Sequence, residues 1–247
     1  MTIRSTCPYC GVGCGVVIRP DGKGGVTVTG DPDHPANHGR LCSKGSALAE
    51  TLGLDGRLLV PRIAGKDSDW DNALDLVAQR FQPCIAEHGP DSVAFYVSGQ
   101  LLTEDYYVAN KLMKGFIGSA NIDTNSRLCM ASSVAGHRRA FGSDTVPGQY
   151  EDLELADVVV LVGANLAWCH PVLYQRLAAA KERPPEMTII VIDPRQTATC
   201  ALADLHLQIT PGADVALFNQ LLVALADRGA LDPAFLARGD GFDEALA

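Results

Sequence analysis

Asp157-Val158-Val159-Val160-Leu161-Val162-Gly163-Ala164-Asn165 is the most informative run in this chain for its fold. Five consecutive apolar residues, mostly β-branched, stop at a glycine turn. Such a run reads as a strand covered on both faces, as strands of parallel sheets are. The next segment, from Pro171 to about 183, has helical spacing, and a second strand follows at Thr188-Ile189-Ile190-Val191-Ile192, ending at Asp193-Pro194. Upstream, Ser92-Val93-Ala94-Phe95-Tyr96-Val97 ends at Ser98-Gly99 in the same manner. Helices are predicted at 71–88, 103–117, 131–141, 171–183 and 214–228. This alternation predicts βαβ units in a doubly wound, mainly parallel α/β domain over 61–247. Ligands of such sheets bind beyond the carboxyl ends of the strands, which points to the loops beginning at Ser98, Gly163 and Asp193.

Residues 1–60 have a different texture. They are rich in Gly, Pro and Asp, with short β-like stretches at Gly15-Val16-Val17-Ile18 and Val26-Thr27-Val28-Thr29, and carry little core of their own. A small separate domain stabilised by a bound group is expected there, because a ligand held only by the folded state adds its binding energy to folding. The final residues, 241–247, read as the opening of a helix, so the second domain is expected to be incomplete at its C-terminal end.

The 247 residues carry 20 Lys+Arg against 29 Asp+Glu, a net charge of −9, with the basic residues scattered. No basic stripe is available to neutralise phosphates, so nucleic acid is not an expected partner. No apolar run reaches the roughly 18 residues of a membrane-spanning helix, so no membrane partner is expected. The start, Met1-Thr2-Ile3-Arg4-Ser5-Thr6-Cys7, leaves no room for a secretion leader, and a cytoplasmic protein is expected.

Eight cysteines in a reducing compartment argue for metal rather than disulfides. Cys7, Cys10 and Cys14 form C-x2-C-x3-C, and Cys42 follows after a gap of 27 residues. A structural zinc site usually pairs two C-x2-C knuckles, whereas three close cysteines and one distant one suit the corners of a 4Fe–4S cube. Interleaved Gly11, Gly13 and Gly15 let bare backbone approach the sulfurs. Spacing alone favours the cluster while leaving zinc, or four unrelated buried cysteines, as alternatives. Cys84 and Cys200 match no motif and read as packing residues. His170, just before Pro171, reads as a helix entrance rather than a catalytic partner of Cys169.

The cysteine pattern, together with Cys42-Ser43-Lys44-Gly45, Ser98-Gly99-Gln100, Asn125-Ser126-Arg127-Leu128-Cys129-Met130, Gly163-Ala164-Asn165, Asp193-Pro194-Arg195 and Pro211-Gly212-Ala213-Asp214, resembles the molybdopterin oxidoreductase family. That family holds assimilatory and periplasmic nitrate reductases and molybdenum formate dehydrogenases, and the likeness is strongest to the assimilatory nitrate reductases. It runs over nearly the whole chain. The resemblance implies a 4Fe–4S cluster on Cys7, Cys10, Cys14 and Cys42, and a molybdenum-bis(molybdopterin guanine dinucleotide) cofactor with Cys129 on the metal. Lys44 would lie between cluster and pterin as an electron-transfer and pterin-binding residue. Gln100 and Asn125 would touch the cofactor, and Gly163, Ala164, Asn165, Asp193, Arg195, Gly212 and Asp214 its guanine dinucleotide tails.

Each assignment has a plainer reading. Lys44 alone is a solvated loop lysine, and Cys129 alone a small core residue. Gln100 or Thr103 could cap the following helix, Asp193-Pro194 is a common turn, and Asp214 could be an N-cap. From the residues alone, Asp193 at a strand end, 30 positions after Gly163, also matches the acidic residue that binds a ribose in dinucleotide folds. Neither G-x-G-x-x-G nor G-x4-G-K-[ST] is present, which does not support a nicotinamide or nucleoside triphosphate site.

The implied reaction is reduction of nitrate to nitrite by oxygen-atom transfer in nitrate assimilation. Electrons would come from a donor protein or subunit such as ferredoxin, flavodoxin or an NADH-dependent reductase. A formate dehydrogenase alpha subunit is the alternative enzyme, but formate dehydrogenases typically place histidine directly after the metal-ligating residue. Met130 stands there and cannot accept a proton. An inactive, cluster-carrying electron-transfer fragment is the non-enzymatic alternative. Because family catalytic subunits are much longer, these 247 residues alone are expected to be inactive.

Overall fold

The computed structural model describes residues 2–183 and 186–246. Packing divides the chain into one unit made of Met1–Leu52 with Gly148–Ala247, and a second made of Gly53–Pro147. The packing boundary therefore differs from the expected division at 60/61. The physical reason is that the first segment shares a core with the segment from Gly148 onward. Val12, Cys14 and Val16 from the one belong to the same buried cluster as Val172, Leu177 and Val191 from the other.

The chain begins with an antiparallel sheet of β1 (Ile3–Thr6), β2 (Gly15–Pro20) and β3 (Val26–Gly30), in that order. Asp21 makes the β2–β3 turn, its carboxylate accepting from the amides of Lys23 and Gly25 at 2.8 and 2.9 Å. Gly30 is obligatory where it stands, since a Cβ there would lie 2.1 Å from the Gly39 carbonyl oxygen. A short helix, α1 (Ser43–Ser46), follows.

The second unit opens with the two-residue strands β4 (Arg62–Ile63) and β5 (Lys66–Asp67) and the long helix α2 (Trp70–His88). Asp69 caps α2 by accepting from the Asn72 amide, and Gly89 ends it at a positive φ of 83°. Next come β6 (Phe95–Val97), α3 (Thr103–Asn110) running into a π-helical turn at Lys111–Ile117, β7 (Ile122–Thr124), α4 (Asn125–Cys129) and α5 (Ala131–Phe141). β6 and β7 pair in parallel, with Phe95 opposite Ile122 and Val97 opposite Thr124.

The chain then returns to the first unit through α6 (Asp152–Leu155), β8 (Val158–Val162), α7 (Leu166–Cys169), α8 (Pro171–Lys181), β9 (Thr188–Ile192), β10 (Leu205–Leu207), α9 (Asp214–Asp227), α10 (Pro233–Leu236) and α11 (Phe242–Leu246). β10-β9-β8 form a parallel sheet. Val159, Leu161, Ile189 and Val191 are buried in it, while the alternate residues Val158, Val160 and Val162 are exposed.

The α/β class and the helix positions follow the pattern of the sequence. Three differences have local causes. The strand expected at 92–97 covers only Phe95–Val97, because Pro90–Ser92 form a 3-10 turn. The helix over 103–117 changes to π winding at Lys111. The parallel strands fall into two separate sheets, one in each unit; β7 is only Ile-Asp-Thr, too short and too polar to announce itself.

Arg176 joins the N-terminal segment to the α8 layer. Its side chain is 1% exposed, and its guanidinium donates to the Pro35 and Ala36 carbonyls at 2.7 and 2.8 Å and to Glu154 at 2.5 Å. Breaking a buried, hydrogen-bonded ion pair from one side costs roughly 3–5 kcal/mol. Arg176→Ala is expected to lower folding stability by about that much, read as a lower urea midpoint. A midpoint equal to wild type would show that the network contributes nothing net.

Candidate cysteine site and cofactor loops

The loop between β1 and β2 is closed by the Cys7 amide donating to the Cys14 carbonyl at 2.8 Å, and by the Gly13 amide donating to the Cys10 carbonyl at 3.3 Å. Gly13 takes a φ of 67°, which lets the chain reverse between two cysteines. Cys42 arrives from far along the sequence because residues 31–41 are pinned in place. Asn37, fully buried, accepts from the Gly15 amide at 2.8 Å and donates to the carbonyls of Gly15 and Arg40. Gln175 and Arg176 of α8 hold the same loop through the Leu41, Pro35 and Ala36 carbonyls.

The result is a small cavity walled by Cys7, Cys10, Cys14 and Cys42 together, with Tyr9, Val12 and Leu41 among its apolar lining. All four cysteines are free thiols. Burial pushes the Cys14 thiol up to about 11, and the neighbouring charges of Cys10, Cys7 and Cys42 push it the same way. A cation beside Cys14 would favour its thiolate, and that is what a metal centre held by these cysteines would supply. Among the described residues, no three His, Cys, Asp or Glu side chains stand close enough to hold a single ion. Four cysteines lining one cavity are the set that the corners of an iron–sulfur cube require.

Lys44 lies in α1, two residues after Cys42, with its ammonium 5.9 Å from the centroid of the Tyr9 ring. Cys42, Ser43, Lys44, Ala167, Trp168 and Gln175 border an open concavity on the surface beside the cysteines. Gly163, at φ 58°, turns the chain after β8, and its amide donates to the Ile192 carbonyl at 2.8 Å. The Asn165 side chain accepts from the Thr199 hydroxyl at 3.3 Å, so the loops after β8 and β9 are tied together; Ala164 lies between Gly163 and Asn165. Asp193 is buried and accepts from the Arg195 amide at 2.8 Å, which is the tight turn its Asp-Pro sequence suggests. Gly212 has φ 86°, and Asp214 is the first residue of α9, where it does not cap by its side chain.

In the other unit, Gln100 stands in the loop after β6, and Asn125 opens α4 directly after β7. The Asn125 side-chain carbonyl oxygen accepts from the Gly99 amide at 2.6 Å, which staples the β6 loop to the start of α4. Thr103 is not the cap of α3; the free Leu102 amide is taken by Asp105 at 3.1 Å. Cys129 ends α4 and is exposed, unlike a packing cysteine, and Met130 beside it is 51% exposed. Asp123 is held below the usual carboxylate range by the Thr124 amide and by Arg127, one turn into α4, so this ion pair anchors the helix that presents Cys129.

Tyr150, Arg176 and Asn37 hold the cysteine loops, and no motif drew attention to them. Arg176 did leave a signal. It falls on the apolar stripe of α8 between Val172, Leu173, Leu177 and Ala180, where a charge implies a buried partner.

Residues 1–53 match the molybdopterin oxidoreductase Fe4S4 domain, and residues 62–233 match molybdopterin oxidoreductase. The chain belongs to the molybdopterin oxidoreductase family. The two domain types name its cofactors, a 4Fe–4S cluster and molybdopterin. It is 61% identical over 94% of its length to a nitrate reductase of Klebsiella oxytoca, of which it covers 27%. It is 42% identical over 98% of its length to a periplasmic nitrate reductase of Desulfovibrio desulfuricans, covering 33% of that protein. The chain thus spans about a quarter to a third of the length of these relatives. An acetylene hydratase from Pelobacter acetylenicus superposes with a TM-score of 0.84 at 24% identity, over 98% of this chain and 34% of that one, and shows the shared fold. No helix among the described residues is long and apolar enough to cross a membrane.

Anaerobically reconstituted protein is expected to hold about four irons per chain, and Cys42→Ala to lose them. Stoichiometric zinc without broad visible absorption would contradict this assignment.

Proposed function

We propose that this chain carries the cluster site and part of the cofactor site of a molybdenum-dependent nitrate reductase. The observation that carries the reading is 61% identity across 94% of the chain to a protein named nitrate reductase. In this reading Cys7, Cys10, Cys14 and Cys42 hold the 4Fe–4S cluster, and Lys44 bridges cluster and pterin. Cys129 ligates molybdenum; its exposure at the end of α4 leaves the thiol open to a ligand, and a soft thiolate suits a sulfur-rich metal sphere. The cofactor is the bis(molybdopterin guanine dinucleotide) form. Gln100 and Asn125 contact it, and Gly163, Ala164, Asn165, Asp193, Arg195, Gly212 and Asp214 frame its nucleotide tails.

The bound molybdenum centre supplies the redox chemistry, in which nitrate, two electrons and two protons give nitrite and water. Asn125 engages the Gly99 amide through its carbonyl oxygen, leaving its NH2 group as the donor for a ligand. Lys44 supplies a positive charge beside Cys42, where electron delivery needs a short, polar route. Met130 next to Cys129 offers no base, which favours oxygen-atom transfer over proton abstraction from formate. We assign the protein to nitrate assimilation in the cytoplasm, with ferredoxin, flavodoxin or an NADH-dependent reductase subunit as donor. Cell fractionation tests the compartment, and a periplasmic location would overturn this part.

In the full-length protein, Cys129→Ala is expected to abolish nitrite formation while iron content and fold stay intact. Turnover that survives the substitution would remove Cys129 from the metal. With a reduced viologen as donor, nitrate reduction should far exceed formate oxidation measured in the opposite direction; formate as the better substrate would move the chain to the formate dehydrogenase branch.

A further inference from the structure

Tyr150 lies outside every motif, yet its hydroxyl is shared between the Gly11 and Val12 carbonyls, at 3.1 and 3.0 Å. Those two peptides form the crest of the loop between Cys10 and Cys14. The Tyr150 ring is held from behind by Arg176, whose guanidinium carbon lies 5.7 Å from the ring centroid. Arg176 is itself fixed by Glu154, Glu151 and two carbonyls, so the phenol has a rigid support.

A trans peptide is planar, with its N–H opposite its C=O. Carbonyls held toward Tyr150 therefore turn the amides of Val12 and Gly13 away from it. The Gly13 amide is taken by the Cys10 carbonyl. The Val12 amide has no acceptor among the described residues, although Val12 is 3% exposed and lines the cysteine cavity. A buried amide seldom goes unpaired, and the acceptors this cavity offers are sulfurs.

We propose that Tyr150 is a positioning residue for the 4Fe–4S cluster, its hydroxyl holding the Gly11 and Val12 carbonyls so that the Val12 amide donates to the cluster's sulfur and raises its reduction potential. The inference rests on the cluster assignment above. Hydrogen bonds to the sulfurs stabilise the more negative, reduced cluster, which is why they set its potential. Removing the hydroxyl frees both carbonyls, and the loop loses the constraint that aims the amide.

The test is a redox titration of the full-length protein followed by electron paramagnetic resonance, comparing wild type with Tyr150→Phe. Tyr150→Phe is expected to keep its iron but shift its midpoint to lower potential. The reduced-to-oxidised ratio at the wild-type midpoint should fall by up to about tenfold, equivalent to ~59 mV for a one-electron couple. An unchanged midpoint and unchanged signal with iron intact would overturn the proposal. Should Tyr150→Phe fail to fold, site-specific 3-fluorotyrosine at position 150 keeps the ring and strengthens the donor. A higher midpoint then supports the proposal, and an unmoved one overturns it. Wild-type protein that binds no iron would overturn both this proposal and the cluster assignment, whereas a shifted midpoint in an enzyme inactive on nitrate would overturn only the nitrate reading.

Discussion

The guanidinium of Arg176, buried in α8, is the contact on which the first unit depends. On one side it meets Glu154 and Glu151; on the other it donates to the carbonyls of Pro35 and Ala36, in the loop that delivers Cys42. A charge that deep is tolerable only because every direction of its fork has an acceptor. The same group backs the ring of Tyr150, which holds the loop carrying Cys10 and Cys14. One side chain thus fixes two cysteine-bearing loops against the parallel sheet. That explains why the N-terminal strands pack with the segment from Gly148 onward.

The cysteine cavity sets a second constraint. Its four sulfurs are drawn together by backbone bonds and by Asn37 against Gly15, and a Cβ on Gly15 would lie 2.3 Å from the His34 ring. Burial beside the other three cysteines raises the cost of ionising Cys14. A polynuclear iron centre held by these cysteines would reverse that balance, because its cations favour the thiolate. A cluster held there would add its binding energy to the stability of the folded chain.

In the second unit the residues singled out by the sequence motifs are displayed rather than enclosed. Cys129, Met130, Gln100 and Asn125 are exposed, held in place by the Asn125–Gly99 bond and the Asp123–Arg127 ion pair. The open face of the β8–β10 sheet likewise shows Val158, Val160 and Val162, and α9 shows Val215, Phe218 and Leu221. Apolar area of this extent is costly to leave in water.

Local chemistry made part of this protein legible from its residues alone. The apolar runs at 157–162 and 188–192 became β8 and β9 because continuous β-branched residues suit a parallel sheet, although β8 buries only Val159 and Leu161 and leaves its other face exposed. Cys7, Cys10 and Cys14 could be read as one set because their short spacing and glycines restrict where the sulfurs can go, whereas Cys42 is brought to them by the fold. Gly163 and Asp193 likewise announced their turns. Other features depend on partners distant in sequence. Arg176 and Pro35 are 141 positions apart, and Tyr150 and Gly11 are 139. The exposure of Cys129, against the usual burial of free cysteine, and the placing of β6 and β8 in different sheets are outcomes of packing. No local propensity encodes them, because a buried charge or a shared phenol acquires its partner only when the whole chain has closed around it.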